Sequence, residues 1–470
     1  MTVDPRWIAS TLPVRRWFGA KGRTIEAVEI LDEATLSDGD PALVWTIVRV
    51  RLEGAPAQCY SMPLLVGGGT ARDALEEVDM LRTLGELMTH GETIKGSFGM
   101  FHFGGPGLDP RSPPGARSIR PLAAEQSNSS LVLDDAVIVK LFRRVESGPN
   151  PDLELTRLLT NEGFESIPPH VGEILYEGEI DGEDMEIDLG VAQQFVDDGR
   201  EGWSHVLAHL DDLLESADDA PDVADAVAGR AAKMLDELGQ LGDAIASLHV
   251  LLAREGLEPE VTAEAVDDHD LREWGLRARR SLQRLLVDGA PELAPHADAI
   301  EARIDALDAL TDAGLKTRIH GDLHLGQVLL APRGWLLLDF EGEPARPLEE
   351  RRAKHSPLVD VAGMLRSLDY AAHAALFARA EPGSDEWRRL EPWAEAWEEE
   401  ARRRLLAAYL RSSHEGSFLP AERSALATML DVFEIEKVLY EVGYERALRP
   451  EWTRIPLHGL ERIMAQGPRR

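Results

Sequence analysis

Two runs of residues hold most of the chemistry this sequence offers. The first is His320-Gly321-Asp322-Leu323-His324-Leu325-Gly326-Gln327; the second, one short apolar stretch later, is Asp339-Phe340-Glu341. Transfer of a phosphoryl group to an alcohol needs few parts: a carboxylate to take the hydroxyl proton, and amide and carboxylate oxygens to hold Mg²⁺ against the phosphates. Asp322 suits the first role. Gln327, five positions on, and Asp339, at the end of a strand over 335–338, suit the second. Taken singly, the first run reads as a turn and Asp339 as a helix-capping acid. In this order, with a strand between them, they point to phosphoryl transfer. His320 and His324 also stand at the His-x-x-x-His spacing of a zinc helix, but Gly321 follows the first and no glutamate base lies between. His320 reads instead as a brace for the loop.

Such chemistry also needs a cation on the phosphates. Lys140 sits among alternating apolar residues in a strand over 136–142, although a lysine there also suits the polar face of an exposed strand. Ten or so residues earlier, Ser127, Asn128, Ser129 and Ser130 form a polar loop whose backbone N–H groups and hydroxyls could cover phosphates; such clusters are also ordinary turns. Glu154, on a short helix over 151–162 opened by Asn150 and Pro151, is placed to pair with Lys140 or simply to meet solvent. The run 191–196 reads as an edge strand and hinge, with Gln193 and Val196 as nucleotide-side candidates. No Gly-x-x-x-x-Gly-Lys-Ser/Thr pattern occurs, which argues against a P-loop enzyme.

The surrounding elements fit a two-part organisation. Strand-like runs at 42–52 and 59–66, and a helical stretch over 72–88, precede a breaker-rich segment at 104–117. From 120 to 200 the texture is mostly strand, with runs at 130–133, 136–142, 171–176 and 185–195. After 200 helices dominate (226–255, 269–286, 293–312 and long stretches over 358–446), interrupted by a β island at 318–319, 327–330 and 334–340. The chain has 470 residues and a formal net charge of −34, which disfavours nucleic-acid backbones and anionic membrane surfaces as partners. Its one cysteine, Cys59, allows no intrachain disulfide and reads as a small packed residue. Neither a signal-peptide core nor a stretch of about 20 apolar residues is present, so a cytoplasmic protein is expected.

The run HGDLHLGQVLL, followed by WLLLDFEGEPARPLEERRAKHSPLVDVAGMLRSLDYAA, resembles the maltokinases, relatives of the aminoglycoside and choline kinases. LPVRRWFGAKGR near the N-terminus and EKVLYEVGYERALRPEWTRIPL near the C-terminus extend the likeness over nearly the whole chain. The resemblance implies an α+β, two-lobed, eukaryotic-like kinase fold. Its parts would be an N-terminal cap (1–100), a β-rich ATP-binding unit (101–200) and a mainly helical C-terminal lobe (201–470). It implies Asp322 as catalytic base, Gln327 and Asp339 as Mg²⁺ ligands, Lys140 on the ATP phosphates, and Ser127, Asn128, Ser129 and Ser130 as phosphate loop. The implied reaction converts maltose to maltose 1-phosphate for α-glucan synthesis, with a functional link to maltose- and trehalose-processing enzymes. Similar motifs occur in kinases acting on glucosamine, so an amino-sugar or aminoglycoside acceptor is the alternative. For the sugar, His324, Glu434, Glu436, Tyr440 and Trp452 are candidates, with core packing the competing role for Tyr440 and Trp452. A silent nucleotide- or sugar-binding module is the alternative of another class. The presence of Lys140, Asp322, Gln327 and Asp339 together weighs against it.

Overall fold

The computed structural model describes residues 3–68, 70–105, 119–122, 128–344, 346–415 and 417–465, and the chain folds as two units. The first comprises residues 1–197 with 344–348; the second comprises 198–343 with 349–470.

The first unit begins with helix α1 (Pro5–Thr11), capped by the Asp4 side chain on Arg6 N. It packs on an antiparallel sheet of β1 (Ile25–Ser37), β2 (Ala42–Leu52), β3 (Ala55–Gly67) and β4 (Thr70–Asp73). Strand β2 explains why the run 42–52 lacks an apolar–polar alternation. Leu43, Trp45 and Ile47 enter one core with Phe103 and Leu131; Val44, Val48 and Val50 enter another with Ile8, Phe18 and Tyr60. Both faces are buried, so both are apolar. The helix expected over 72–88 starts later. Residues 70–76 form β4 and a short 3₁₀ turn, and α2 runs Val78–His90 to a left-handed Gly91.

A second antiparallel sheet of seven strands follows. Its members are β5 (Thr93–Lys95), β6 (Gly99–Gly104), β7 (Ile119–Leu122), β8 (Ser129–Leu133) and β9 (Val137–Leu141), then β11 (His170–Ile180) and β12 (Glu183–Gln194). They run in the order β5-β6-β11-β12-β9-β8-β7, while the two-residue β10 (Arg144–Val145) joins β3 in the first sheet. Helix α3 (Pro151–Asn161) opens as the sequence leads one to expect, with Asn150 Oδ1 accepting from Asp152 N at 2.9 Å and Pro151 in the first turn.

A buried carboxylate ties the two sheets together. Asp32 on β1 is 1% exposed and accepts from Glu33 N, Ser97 N, Gly99 N and the Tyr176 hydroxyl on β11, at 2.6–3.0 Å. Hydrogen bonds to a charged group are worth about 1.5–3 kcal/mol each, and deleting the acceptor strands its donors. Asp32→Ala is therefore expected to cost roughly 3 kcal/mol. Urea unfolding followed by tryptophan fluorescence reads it as an earlier first transition; an unchanged midpoint would exclude this tie.

The second unit is mainly helical. Its helices are α4 (Gly202–Glu215), α5 (Val223–Arg230), α6 (Ala232–Leu252), α7 (Asp268–Val287), α8 (Ala297–Asp308) and α9, a single turn ending at Arg352. The series ends with α10 (Leu358–Arg379), α11 (Asp385–Ser412), α12 (Arg423–Leu448) and α13 (Arg454–Ala465). The single helix expected over 226–255 is two, broken at Ala231. The long stripe Leu238, Leu241, Ile245, Leu248 and Leu252 on α6 is wholly buried, and α6 packs along α11.

The β island lies within this unit. Strands β13 (Arg200–Glu201), β16 (Val328–Ala331) and β17 (Gly334–Leu337) form one small sheet. Strands β14 (Glu264–Ala265) and β15 (Leu315–Lys316) pair separately. Residues 318–319, expected as strand, instead lead directly into the His320 loop, and Thr317 bridges to His355.

Candidate functional site

The loop 320–327 is held from beneath by a buried acid. Asp360, in the first turn of α10 and 1% exposed, accepts from His320 N at 2.7 Å and Gly321 N at 2.8 Å. His249 Nε2 meets the same carboxylate at 3.2 Å, and the His249 Nδ1 meets the Tyr409 hydroxyl at 3.0 Å. Burial alone would raise the Asp360 pKa; His249, His320 and the Gly321 N–H outweigh it and hold Asp360 below the usual carboxylate range. Gly321 turns the chain at φ +81°, where an L side chain would be strained, and a Cβ there would come 3.3 Å from Gly342 Cα.

His320 braces the loop in the way its sequence position suggests. Its Nε2 lies 2.7 Å from the Leu338 carbonyl, and its ring lies against Phe340, with centroids 4.8 Å apart. Leu323 and Leu325 anchor the loop in the helical core, and Leu325 N donates to Ser367 Oγ at 3.0 Å. Gly363 lets α10 approach here: a Cβ on it would sit 2.7 Å from the Leu323 carbonyl oxygen.

These supports hold Asp322 half-exposed, its Oδ1 accepting from Lys437 Nζ at 3.3 Å. Burial would lower the Lys437 pKa; Asp322, Glu343 and Glu441 instead raise it, so the ammonium stays charged. His324 is pushed down by burial, with Asp322 acting the other way. As a neutral ring, its Nδ1 accepts from Gly326 N at 3.0 Å and caps the short 3₁₀ turn Leu325–Gln327.

Gln327 and Asp339 come together: Gln327 Nε2 donates to Asp339 Oδ2 at 3.1 Å. Asp339 follows β17 in a left-handed conformation, φ +62°, which Asp and Asn tolerate better than other side chains. An amide oxygen and a carboxylate are hard oxygen donors, the set that suits Mg²⁺ rather than zinc. The residues present therefore fit that ion.

In the first unit, Lys140 on β9 lies beside Ser130 on one flank and Val191 on the other. Its Nζ donates at 3.0 Å to Asp152 Oδ2 at the head of α3, both side chains being buried. An acid bonded to this lysine is thus Asp152, two residues before Glu154. A carboxylate in the first turn of a helix, facing the sheet, is not distinguishable in sequence from its neighbour one half-turn on. Asn128 and Ser129 are engaged with Arg143: Asn128 Oδ1 accepts from Arg143 N at 3.4 Å, and Ser129 Oγ from Arg143 Nε at 2.8 Å. Ser127 lies outside the described residues. Gln193 spends its side chain on the Pro168 carbonyl, and Val196, half-buried, is one residue from the end of the first unit.

The sugar candidates divide. His324 and Tyr440 belong to the Asp322 surroundings, since Lys437 Nζ also lies 5.2 Å from the Tyr440 ring centroid and Tyr440 is 44% exposed. Glu434 is 1% exposed and taken by Arg402 at 2.7 Å and Arg462 at 3.1 Å. Glu436 is paired with Arg277 at 2.6 Å, and Trp452 is sandwiched between Phe377 and Arg449. Glu434 and Trp452 are therefore structural, because their polar and aromatic surfaces are already occupied. Sequence reasoning missed Lys437, Asp360 and Asp152; their only signal was residue type on long helices rich in the same types.

Lys140→Met is expected to raise the KM for ATP at least tenfold, a loss of about 1.4 kcal/mol in nucleotide binding. It also removes the ammonium that meets the buried Asp152 carboxylate, which is expected to lower stability. The double variant Lys140→Met/Asp152→Asn should recover thermal stability but not the KM; recovery of both would make the lysine purely structural.

Known proteins share both the fold and parts of the sequence. Residues 12–93 match the maltokinase N-terminal cap domain. A glucosamine kinase of Mycolicibacterium smegmatis is 28% identical over 359 residues, covering 75% of this chain and 81% of that protein. A glucosamine kinase of Streptacidiphilus jiangxiensis is 28% identical over 434 residues, 88% of this chain and 84% of that protein. A solved glucosamine kinase in complex with glucosamine, ADP and inorganic phosphate superposes with a TM-score of 0.68. It is 20% identical and covers 98% of this chain and 100% of that one. The fold is that of a kinase, as the sequence implied. The cap match and both relatives make the chain similar to sugar kinases, and these findings support an ATP-dependent sugar phosphotransferase. No helix among the described residues is long and apolar enough to cross a membrane.

Proposed function

We propose that this protein transfers the γ-phosphoryl group of ATP to the anomeric hydroxyl of maltose, giving maltose 1-phosphate and ADP for α-glucan synthesis. Asp322 takes the hydroxyl proton, the freed oxygen attacks the γ-phosphorus, and the bond to the β–γ bridging oxygen breaks. Gln327 and Asp339 hold Mg²⁺, Lys140 steadies the phosphates, and the segment from Ser127 to Ser130 covers them. Gln193 and Val196 flank the adenine, with Glu154 near the Lys140–Asp152 pair. The cap, ATP-binding and helical parts correspond to 1–100, 101–200 and 201–470. The observation that carries the reading is the Asp322 loop itself, clamped by Asp360 with the Asp322 carboxylate partly accessible and Gln327 meeting Asp339 at 3.1 Å.

The second reading is the same reaction on glucosamine, the acceptor named for the two relatives. Lys437 favours the neutral sugar. Its ammonium already lies 3.3 Å from Asp322, where a second ammonium on the acceptor would be repelled, although Glu343 nearby offsets part of that charge. ADP release from Mg-ATP across maltose, glucose, glucosamine, maltotriose and an aminoglycoside tests both. Turnover with maltose alone supports the proposal. Turnover with glucosamine overturns the acceptor and leaves the catalytic roles standing. ATP binding without turnover on any of them overturns the reaction.

A further inference from the structure

Beneath α13, in the second unit, the helical core holds a network of buried charges that the proposed reaction does not use. Asp369 on α10 pairs with Arg366 and, at 2.9 Å, with Arg402; Arg462 on α13 reaches it at 3.1 Å. Arg366 also takes Glu441 at 2.8 Å, while Arg402 and Arg462 share Glu434. Three guanidiniums are thereby engaged with Asp369, Glu434 and Glu441. A fourth acid, Glu398 on α11, is 2% exposed and is left over. Its carboxyl group hydrogen-bonds the Asp369 carboxylate and is not hydrogen-bonded by any guanidinium among the described residues, although Arg462 Nε approaches at 3.3 Å. Burial and the neighbouring Asp369 push the Glu398 carboxyl up, so it is the acid of this cluster that holds a proton, one that a bound cation can displace.

A buried carboxyl group that gives up its proton needs a balancing positive charge. Two imidazoles stand beside it. His373, one turn after Asp369 on α10, gives its Nδ1 to the Asp369 carbonyl at 2.9 Å and has the same atom 4.0 Å from Glu398 Oε2, the backbone bond leaving Nε2 as the lone-pair donor once the ring turns. Burial lowers its pKa, with the Asp369 carbonyl opposing, so the ring is neutral. His458 on α13 has a buried Nδ1 without a partner among the described residues, and its Nε2 lies 3.7 Å from Glu395. The rings of His373 and His458 are 4.8 Å apart between centroids, and one ligand atom from each of His373, Glu398 and His458 can be chosen so that all lie within 4.8 Å of one another. Around a tetrahedral zinc ion such atoms stand about 3.3 Å apart, so a small inward rotation of the side chains closes the set.

We propose that His373, Glu398 and His458 form a second cation site, for a divalent transition ion of the zinc class, that fastens α10, α11 and α13 together. Two imidazoles and a carboxylate suit such an ion, whereas Mg²⁺ prefers an all-oxygen shell. The ion would take the place of the proton that Glu398 holds. The neighbouring cluster of His205, His209 and Glu237 serves as the contrast, because its members satisfy one another: His205 Nε2 meets Glu237 Oε2 at 2.9 Å, and His209 Nδ1 the His205 carbonyl at 3.0 Å.

The test titrates the full chain, stripped with chelator and kept in excess Mg²⁺, with Co²⁺, and reads the visible absorption of imidazole-bound cobalt. One Co²⁺ per chain, displaced by Zn²⁺, is expected. His458→Ala and Glu398→Gln should each lower that affinity at least 100-fold, and His209→Ala should not change it. Zn²⁺ should also raise the melting temperature of the wild type and not of His458→Ala. His458 is about one third exposed, so its variant carries the test if Glu398→Gln does not fold. No cobalt uptake, uptake indifferent to His458→Ala, or uptake abolished by His209→Ala would each overturn the site.

Discussion

Asp322→Asn is expected to lower kcat by about 10²–10⁴-fold, the usual contribution of a positioned general base. An asparagine amide keeps the shape of the side chain and can still accept from Lys437, which contacts Asp322 at 3.3 Å. It cannot take the hydroxyl proton. The loop that carries it is fixed by backbone bonds to Asp360 and by Leu323 and Leu325 in the core, so the substitution leaves the loop in place. Mg-ATP affinity, measured by calorimetry, is therefore expected to stay within about twofold, because the lost interaction is made only in the transition state. The charge of Lys437 needs its own control. Lys437→Met removes the ammonium while leaving Asp322 in place, and should alter the acceptor KM more than kcat. Near-normal turnover in Asp322→Asn would remove Asp322 as the base.

The sequence was most legible where chemistry and local structure coincide. The order of Asp322, Gln327 and Asp339 was legible because strand structure must separate the last two, and the hairpin of β16 and β17 does so, returning Asp339 to Gln327. Asn150 with Pro151 announced α3 because capping is a local event. Buried partners were not legible. Asp360 lies 38 residues beyond Asp322 on a helix whose other first-turn residues are apolar, and nothing local marks it as the clamp of the loop. Lys437 and Glu434 differ in fate although they sit on the same helix, three residues apart. One rotates toward Asp322, the other into Arg402 and Arg462. Residue type suggested a sugar ligand for Glu434; helical phase against α10, α11 and α13 decides the matter, and that phase is a tertiary fact. The strand β2 misled in a milder way. An apolar run without alternation fits a helix or a strand equally, and only burial on both faces accounts for it.

The metal role of Asp339 makes the sharper prediction, because it separates nucleotide binding from Mg²⁺ dependence. Asp339→Asn is the suitable change: asparagine tolerates the left-handed backbone at φ +62°, whereas alanine would add strain of about 1–2 kcal/mol to the loss of charge. The amide keeps a hydrogen bond with Gln327, so the geometry after β17 survives. What is lost is the anionic oxygen that a hard, reluctantly dehydrated cation requires. Even neighbours of metal ligands cost 10–100-fold in metal affinity when altered, and a direct ligand should cost at least about 100-fold. The Mg²⁺ concentration giving half-maximal ATP turnover should rise accordingly, while ATP binding measured with EDTA stays unchanged. This pairing also distinguishes the ligand role from damage to the fold, which would weaken both. Equal Mg²⁺ requirements in the variant and wild type would take Asp339 out of the metal site. A parallel rise in the metal-free ATP dissociation constant would instead make its contribution structural, through the Gln327 bond that joins the loop to β17.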